Sequence, residues 1–263
     1  MRTGKELRER IRRGTPIIGT WLQLPSPDVA EIIARLGYDW AAADLEHGSF
    51  TRADLPNIFR ALERWGTTPF ARVAAPDMTM IKAALDSGAR GLIFPMIESR
   101  EQLDKAIAWS LYPGGHAFGG GRRGVGFSRA NCFGADFSRH VDAEHGIGHE
   151  TMLVAQIEHV NALAELDGIF SHPRLDAYMI GPYDLSASMG LTGRFDHPDF
   201  LDALASIEKK ADEHSVNKGY HVVQPDEESL REKTAQGYTF IAYGIDALFL
   251  QKSGKCPEPA PSS

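Results

Sequence analysis

Short apolar runs alternate with amphipathic segments along most of the chain. The runs PIIGTWL, YDWAAAD, TPFARV and GLIFPM are each followed by a segment of helical periodicity. In the first such segment, DVAEIIARLG, apolar residues fall at i, i+3, i+4 and i+7 starting from Val29, which predicts one buried helix face. The runs themselves alternate little, as expected for strands buried on both faces of a parallel sheet. The pattern therefore predicts successive strand–helix pairs.

The same pattern resumes after a glycine-rich interruption, with the runs MLVAQI, DAYMIG, KGYHVV and TFIAYG. Eight strand–helix pairs favour a closed (β/α)8 barrel over an open doubly wound sheet. No interdomain linker interrupts them. The sequence therefore predicts one α/β domain, a single TIM barrel over residues 1–253, and a flexible proline-rich tail over residues 254–263.

Glycine follows four predicted helices, at Gly37, Gly66, Gly88 and Gly237. Such positions are typical of left-handed helix C-caps. At the other end of the chain, the run KELRERIRR mixes charges of both signs without a following apolar segment, so it is not a signal peptide. We interpret this run as a solvated first helix.

Composition and charge narrow the class of protein. Hydrophobic residues make up 43% of the 263 residues and charged residues 24%, which is typical of a globular protein with a substantial core. A net charge of −7 argues against nucleic-acid binding. No apolar stretch reaches about 18 residues, so no membrane span is predicted. Two cysteines far apart in sequence fit a reducing compartment, and we expect a cytoplasmic protein.

In a barrel of this kind the active site lies at the carboxyl ends of the strands. Polar residues close several of the apolar runs and are therefore candidates for chemistry. They are Glu46, His47, Arg72, Gln156, Glu158 and Asp184.

Glu158 and Asp184 follow consecutive strands and would lie near each other over the barrel mouth. Two carboxylates, completed by water and substrate, suit a hard divalent cation such as Mg²⁺ or Mn²⁺. The alternative is that both acids only cap the following helices.

Arg72 carries a guanidinium that matches a carboxylate or an enolate with two parallel hydrogen bonds, although a structural salt bridge would explain it as well. His47 has a side chain whose ordinary pKa of about 6.5 suits a general base. A purely structural histidine is the alternative.

Lysine positions argue against Schiff-base chemistry, which needs a desolvated lysine inside the barrel. Lys218 only opens the seventh strand, and the other candidates lie in helical patterns: Lys82, Lys105, Lys209, Lys210 and Lys233. The segment GGRRGVG does not follow a strand and open a helix, so we expect no nucleotide cofactor. We interpret it as a loop beside the mouth, where Arg122 or Arg123 meets an anionic substrate or is simply solvated.

Five spaced motifs together resemble one family. DLEHG, ARVAAPDMTMIKAALDSGARGLIFPMIES, YPGG…GRRGVG, AQIEH and IGPYDLSASMG, in this order, are similar to the HpcH/HpaI class II aldolases, which include 4-hydroxy-2-oxoheptanedioate aldolase and 2-keto-3-deoxy-L-rhamnonate aldolase. The resemblance covers roughly residues 4 to 253. It implies a pyruvate-type (β/α)8 barrel that reversibly cleaves a 4-hydroxy-2-oxo acid to pyruvate and an aldehyde through a metal-bound pyruvate enolate.

The resemblance also implies roles for individual residues. Glu158 and Asp184 would hold Mg²⁺, Mn²⁺ or Co²⁺, and Arg72 would bind the pyruvate carboxyl and keto oxygens. His47 would be the base, acting with a carboxylate of a neighbouring subunit that corresponds to Asp86. Substrate would also contact Gln156, Gly181, Pro182 and Tyr183.

Two further acids and the assembly complete these expectations. Glu46 would orient His47 or a water, and Asp44 would be a supporting hydrogen-bond acceptor. The family is typically hexameric, as a trimer of dimers, with the last helix exchanged between subunits.

Other functions remain open at this point. A decarboxylase of oxaloacetate, or an enolate-condensing enzyme resembling macrophomate synthase, would use the same site. A CoA-ester lyase lacks a clear adenine or pyrophosphate site here, and a non-catalytic metabolite binder would not need His47. The strand-7 run GYHVVQPD and the segment after RRGVG depart from the family pattern, which leaves the aldehyde unassigned.

Overall fold

Eight parallel strands close into a barrel in sequence order, and the last strand pairs with the first. The computed structural model describes residues 3–114, 120–142, 146–254 and 256. The strands are β1 (Ile17–Leu22), β2 (Trp40–Asp44), β3 (Thr68–Arg72), β4 (Gly91–Phe94), β5 (Met152–Ile157), β6 (Ala177–Ile180), β7 (Gly219–Val222) and β8 (Phe240–Ile245). The predicted TIM barrel is confirmed.

Helices lie around the sheet, and the first of them covers one end of the barrel. They are α1 (Gly4–Arg12), α2 (Pro27–Arg35), α3 (Leu55–Arg64), α4 (Met78–Ser87), α5 (Arg100–Ser110), α6 (Phe137–Val141), α7 (Leu166–Phe170), α8 (Pro182–Ser188), α9 (Pro198–Glu213), α10 (Glu227–Ala235) and α11 (Asp246–Ser253). Exchange of α11 with a partner subunit stays a prediction. No described helix is long and apolar enough to span a bilayer.

Aromatic rings fill the barrel interior. Trp40 stacks on Phe240 with 4.7 Å between ring centroids, and Phe70 lies 5.2 Å from the same indole. Glycine makes room for these rings, because a Cβ on Gly19 would come within 2.0 Å of Trp40 and one on Gly91 within 2.2 Å of Phe70. A second apolar layer lies between the sheet and the helices. The interior is thus a packed core, and chemistry is confined to its rim.

Helix α1 closes the end of the barrel opposite the strand carboxyl ends. Leu7 and Ile11 are buried and pack with Ile17 and Met152, the first residues of β1 and β5. The interpretation of this segment as a solvated helix was therefore wrong for one of its faces. Leu7 and Ile11 form a narrow apolar face at i, i+4 spacing, which the sequence interpretation overlooked because the surrounding residues are charged.

Four helix C-termini have the predicted left-handed glycines. The φ angles are +91° at Gly37, +86° at Gly66, +109° at Gly88 and +87° at Gly237. These predictions are confirmed. The predicted flexible tail over 254–263 lies outside the described residues except for positions 254 and 256.

Candidate active site

Asp44 and Arg72, the last residues of β2 and β3, form a buried ion pair at the carboxyl end of the barrel. Arg72 donates from Nε to Oδ1 of Asp44 at 2.8 Å and from an Nη to Oδ2 at 2.6 Å. Burial opposes ionisation of Asp44, but the hydrogen bonds and charge of Arg72 outweigh it and lower the pKa of this carboxyl. Asp44 therefore fixes the guanidinium while using only two of its five N–H donors.

Glu46 and His47 lie next to this pair because β2 ends in a tight turn. The amides of both residues donate to Oδ1 of Asp44, at 3.1 and 3.2 Å. Oε2 of Glu46 lies 3.2 Å from an Nη of Arg72 and 3.9 Å from Nε2 of His47. The His47 side chain is 53% exposed, so it can exchange protons with solvent or substrate. The Asp44 side chain thus accepts hydrogen bonds from the backbone of this turn, and its supporting role in catalysis stays a prediction.

Glu158 and Gln156 form the other side of the mouth. Glu158 is buried and accepts hydrogen bonds from the backbone N–H of Met96 at 2.8 Å and from Nε2 of Gln156 at 2.5 Å. Burial raises the pKa of Glu158 to about 7, and the negative charges of Glu46 and Asp184 contribute. Such a shift in a cleft is typical of a functional carboxyl.

Gly181 separates β6 from α8 and lies directly against Glu158. A Cβ at this position would come within 2.4 Å of Oε2 of Glu158 and 2.9 Å of Nε2 of Gln156. Pro182 is the first residue of α8, and Asp184 lies in its first turn, exposed. Tyr183 is also exposed and packs edge-on against Phe195. The GPYD motif therefore brings Asp184 to the mouth, and the missing side chain at its glycine leaves room for Glu158 and Gln156.

The acidic side of the mouth fits a hard divalent cation. Three carboxyls influence one another there, since Asp184 raises the pKa of both Glu46 and Glu158, although burial is the larger cause in each case. Oε1 of Gln156 is buried without a hydrogen-bond partner among the described residues. Among the described residues, no group of three or more His, Cys, Asp or Glu side chains is placed to hold a metal ion. A two-carboxylate site suits an ion that keeps waters and takes further ligands from substrate.

Asp86 does not join these residues within one chain. It lies at the last turn of α4, which runs back from the mouth towards the opposite end of the barrel. Arg123, which is buried, donates to Oδ1 of Asp86 at 3.2 Å. A catalytic role for Asp86 therefore depends on a second subunit, and it stays a prediction.

The arginine-rich loop is also far from the mouth of its own barrel. It follows α5 and precedes β5, and Arg129 contacts Glu63 and the carbonyl of Ser87, near the ends of α3 and α4. Arg122 lies over Trp109 with 5.7 Å between Cζ and the ring centroid. The prediction of a loop beside the mouth was therefore wrong for the same chain. Part of the glycine-rich segment, residues 115–119, lies outside the described residues.

Sequence reasoning missed four groups at the mouth. Gln23 donates to Oδ2 of Asp44 at 3.1 Å, and its place just after β1 could have identified it by the strand-end rule. Met96 has a φ of +52° and presents its N–H to Glu158, a feature without a sequence signal. Trp21 and His221 point into the barrel from β1 and β7. Trp21 reads in the sequence as part of an ordinary strand, and the run that contains His221 was noted only as a departure from the family pattern.

Comparisons with known proteins give one consistent result. A family model described as HpcH/HpaI aldolase/citrate lyase matches residues 17–252. A hydroxypyruvate/pyruvate aldolase of Paraburkholderia phytofirmans is 32% identical over 251 residues, which is 94% of each chain. A 2-keto-3-deoxy-L-rhamnonate aldolase of Escherichia coli is 32% identical over 241 residues, which is 92% of this chain and 87% of the relative.

A solved structure agrees with these sequence matches. An HpcH/HpaI aldolase/citrate lyase family protein from Burkholderia cenocepacia superposes with a TM-score of 0.87 at 30% sequence identity. The match covers 95% of this chain and 96% of the other. Similarity therefore extends over the whole barrel, including every strand end described above.

Proposed function

The chain belongs to the HpcH/HpaI aldolase/citrate lyase family, and from this premise we propose that it is a divalent-metal-dependent pyruvate aldolase. Its reaction would be the reversible cleavage of a 4-hydroxy-2-oxo acid to pyruvate and an aldehyde. The observation that carries this proposal is the pairing of a fixed guanidinium, Arg72, with an acidic wall of Glu46, Glu158 and Asp184 at one barrel mouth. The guanidinium suits an anionic substrate, and the carboxylates suit a cation.

Arg72 would bind the carboxylate and keto oxygens of the 2-oxo acid. Its Nε and one Nη proton are directed to Asp44, and the second Nη, which lies 3.2 Å from Oε2 of Glu46, carries donors that would reach the substrate oxygens. Because the guanidinium is already oriented, it stabilises negative charge on the enolate without reorganising. Gln156, Gly181, Pro182 and Tyr183 would form the rest of this binding surface.

Glu158 and Asp184 would hold Mg²⁺, Mn²⁺ or Co²⁺. When bound, such an ion supplies Lewis-acid stabilisation of the charge that develops on the keto oxygen. Gln156 positions the Glu158 carboxylate through its 2.5 Å hydrogen bond. The Met96 amide holds the other oxygen of the same carboxylate.

His47 would be the general base. In cleavage it takes the proton of the C4 hydroxyl, the C3–C4 bond breaks, and the bonding electrons pass to the pyruvate enolate as the aldehyde leaves. In condensation it removes a methyl proton from pyruvate to form that enolate. Glu46, 3.9 Å away, would orient the imidazole, and Asp86 of a partner subunit in a homo-oligomer would complete the proton path.

An assay of aldol cleavage, coupled to pyruvate detection, tests this function. A panel of 4-hydroxy-2-oxo acids would be tried before and after removal of metal with EDTA. We expect activity to fall at least about 100-fold on chelation and to return with Mg²⁺, Mn²⁺ or Co²⁺.

Two results would contradict the proposal. Full activity after rigorous metal removal would rule out a role for the cation. Carbon dioxide release from oxaloacetate, without any product from pyruvate plus short aldehydes, would identify a decarboxylase instead.

A further inference from the structure

Gln23 contacts two parts of the barrel mouth that carry the proposed chemistry. It directly follows β1 and is partly buried. Its side-chain Nε2 donates to Oδ2 of Asp44, the last residue of β2, at 3.1 Å. Its carbonyl accepts from the N–H of Ser49 at 3.2 Å, in the segment after β2 that carries His47. Gln23 therefore lies beside both the substrate-binding pair and the base without belonging to either.

Asp246 fixes the backbone of Gln23 from the end of a neighbouring strand. It is the first residue of α11, directly after β8, and it is buried. One carboxylate oxygen accepts from the N–H of Gln23 at 2.9 Å, and the other accepts from the N–H of Leu24 at 3.1 Å. Two successive amides held by one carboxylate have little freedom to move, so the Gln23 side chain extends from a fixed point.

The two carboxylate oxygens of Asp44 are held unequally. Oδ1 accepts from the backbone N–H groups of Glu46 and His47, besides Nε of Arg72. Oδ2 accepts from an Nη of Arg72 and, among the described residues, otherwise only from Gln23. Because the Cβ–Cγ torsion of an aspartate is soft, the hydrogen bonds decide the plane of its carboxylate. Without Gln23, Oδ2 would be held only by the guanidinium that Asp44 itself orients.

Rotation of the Asp44 carboxylate would be transmitted to Arg72, because two parallel hydrogen bonds join the two groups. Trp21 supports the guanidinium from one face, with Cζ of Arg72 4.3 Å from the ring centroid. A contact over a ring face is less directional than a hydrogen bond, so it leaves the guanidinium free to turn. The direction of the donors on the second Nη thus depends on the plane of Asp44.

We propose that Gln23 is a positioning residue for the 2-oxo acid site. Held by Asp246, it keeps the Asp44 carboxylate in the plane that directs the guanidinium of Arg72 towards substrate. Gln23 acts through these two side chains and does not itself contact substrate, and the cation site is not part of this series of contacts. The inference rests on the proposed function, since that function makes Arg72 the group that binds the 2-oxo acid.

Binding of pyruvate and of metal to a Gln23→Met variant tests this role. Methionine has about the length of glutamine but lacks the amide donor, so the change removes the hydrogen bond to Asp44 and little else. Calorimetry would give the Kd of pyruvate for the Mg²⁺-loaded protein and, separately, the Kd of Mn²⁺. The matched control is Gln236→Met, which makes the same replacement at an exposed position at the other end of the barrel, after α10.

We expect Gln23→Met to raise the Kd of pyruvate about 10-fold and to leave the Kd of Mn²⁺ within about twofold of wild type. A loss of stability alone would leave both affinities of the folded protein unchanged. Gln236→Met should match wild type for both ligands. Wild-type pyruvate affinity in folded Gln23→Met would overturn the proposal, and so would an equal loss of Mn²⁺ affinity, which would indicate a general disturbance of the mouth.

A double-mutant cycle with Arg72→Lys tests the route of the effect. If Gln23 acts by directing the guanidinium, Gln23→Met should weaken pyruvate by less than about twofold further once that guanidinium is replaced. A full additional loss would show that Gln23 contacts substrate directly and would overturn a positioning role.

The proposed function and this inference fail in different ways. A wild type that binds pyruvate but cleaves no 4-hydroxy-2-oxo acid would contradict the aldolase function. In that case a selective loss of pyruvate affinity in Gln23→Met would still support the positioning role. Aldol cleavage by wild type, together with unchanged pyruvate affinity in Gln23→Met, would overturn the positioning role alone.

Discussion

Glu158 is a buried carboxyl in the acidic group at the barrel mouth. Arg72 is bound to Asp44 through two hydrogen bonds, and its charge only partly offsets the burial of Glu46 and Glu158 and the repulsion among Glu46, Glu158 and Asp184. Burial and this repulsion keep the pKa of Glu158 near 7. A cation bound between the acids would lower that pKa, so the residues that hold Glu158 in place control the affinity of the site.

Replacing Gly181 with alanine tests that control. The φ of Gly181 is −95°, which any residue adopts, so the variant suffers no backbone strain. Its new Cβ would come within 2.4 Å of Oε2 of Glu158 and must displace the carboxylate. We expect Mn²⁺ affinity, measured by calorimetry, and kcat/KM both to fall about 10- to 100-fold.

Gly126→Ala is the matched control for this substitution, because no atom lies within 4 Å of its added Cβ. It should retain the affinity of the wild type. Wild-type Mn²⁺ affinity in Gly181→Ala would show that the contact between Gly181 and Glu158 does not position the carboxylate.

The strand-end residues were predictable because a polar side chain after an apolar run is visible in the sequence. That rule located Arg72 and Glu158 at the mouth. The rule could not locate His221, because this residue lies within a strand. It differs from its neighbours Tyr220 and Val222 only in facing the inside of the barrel. Facing depends on register, and register is fixed by pairing with β6 and β8.

Helix α1 illustrates at the level of elements how a charged sequence can serve the core. Leu7 and Ile11 close the barrel floor, and a Cβ on Gly4 would come within 2.3 Å of the carbonyl oxygen of Glu150. Arg8 reinforces the contact by donating to the carbonyl of Thr151 at 2.8 Å. The helix itself was predicted, but its burial was not, because only the closed barrel creates the end that the helix covers.

Leu7→Ala should therefore destabilise the protein without affecting catalysis. Truncating a fully buried leucine removes apolar contacts and leaves a cavity, so we expect the free energy of unfolding to fall by about 2–5 kcal/mol. The measurement is urea unfolding at one fixed protein concentration, with Lys5→Ala, an exposed position of the same helix, as control.

In the folded Leu7→Ala variant kcat/KM should stay within about twofold of wild type, because α1 lies at the opposite end from the mouth. A large loss of turnover at temperatures where the variant is folded would contradict this separation of stability from catalysis.

At the scale of the whole molecule, strand order assigns each loop to one end of the barrel. Segments that follow a strand reach the mouth, whereas segments that follow a helix reach the floor. Asp86 and the arginine-rich loop lie at the floor, where Arg123 of the loop donates a hydrogen bond to Asp86. This placement was available from the sequence order alone. A second subunit would be needed to bring Asp86 near any His47.

Complementation between two inactive variants tests whether subunits share the site. His47→Ala removes the base, and Asp86→Ala removes the carboxylate attributed to the partner; each alone should lower kcat by at least about 100-fold. If the two residues act across a subunit interface, mixed oligomers contain some sites in which both are intact. Dissociating and reassembling an equal mixture should then restore roughly a quarter of wild-type activity. Half of the interfaces are mixed, and each mixed interface has one intact site out of two.

Each variant reassembled alone is the control and should stay inactive. Activity that does not rise on mixing, in oligomers shown by mass spectrometry to contain both variants, would place Asp86 outside the active site and leave its pairing with Arg123 as its role.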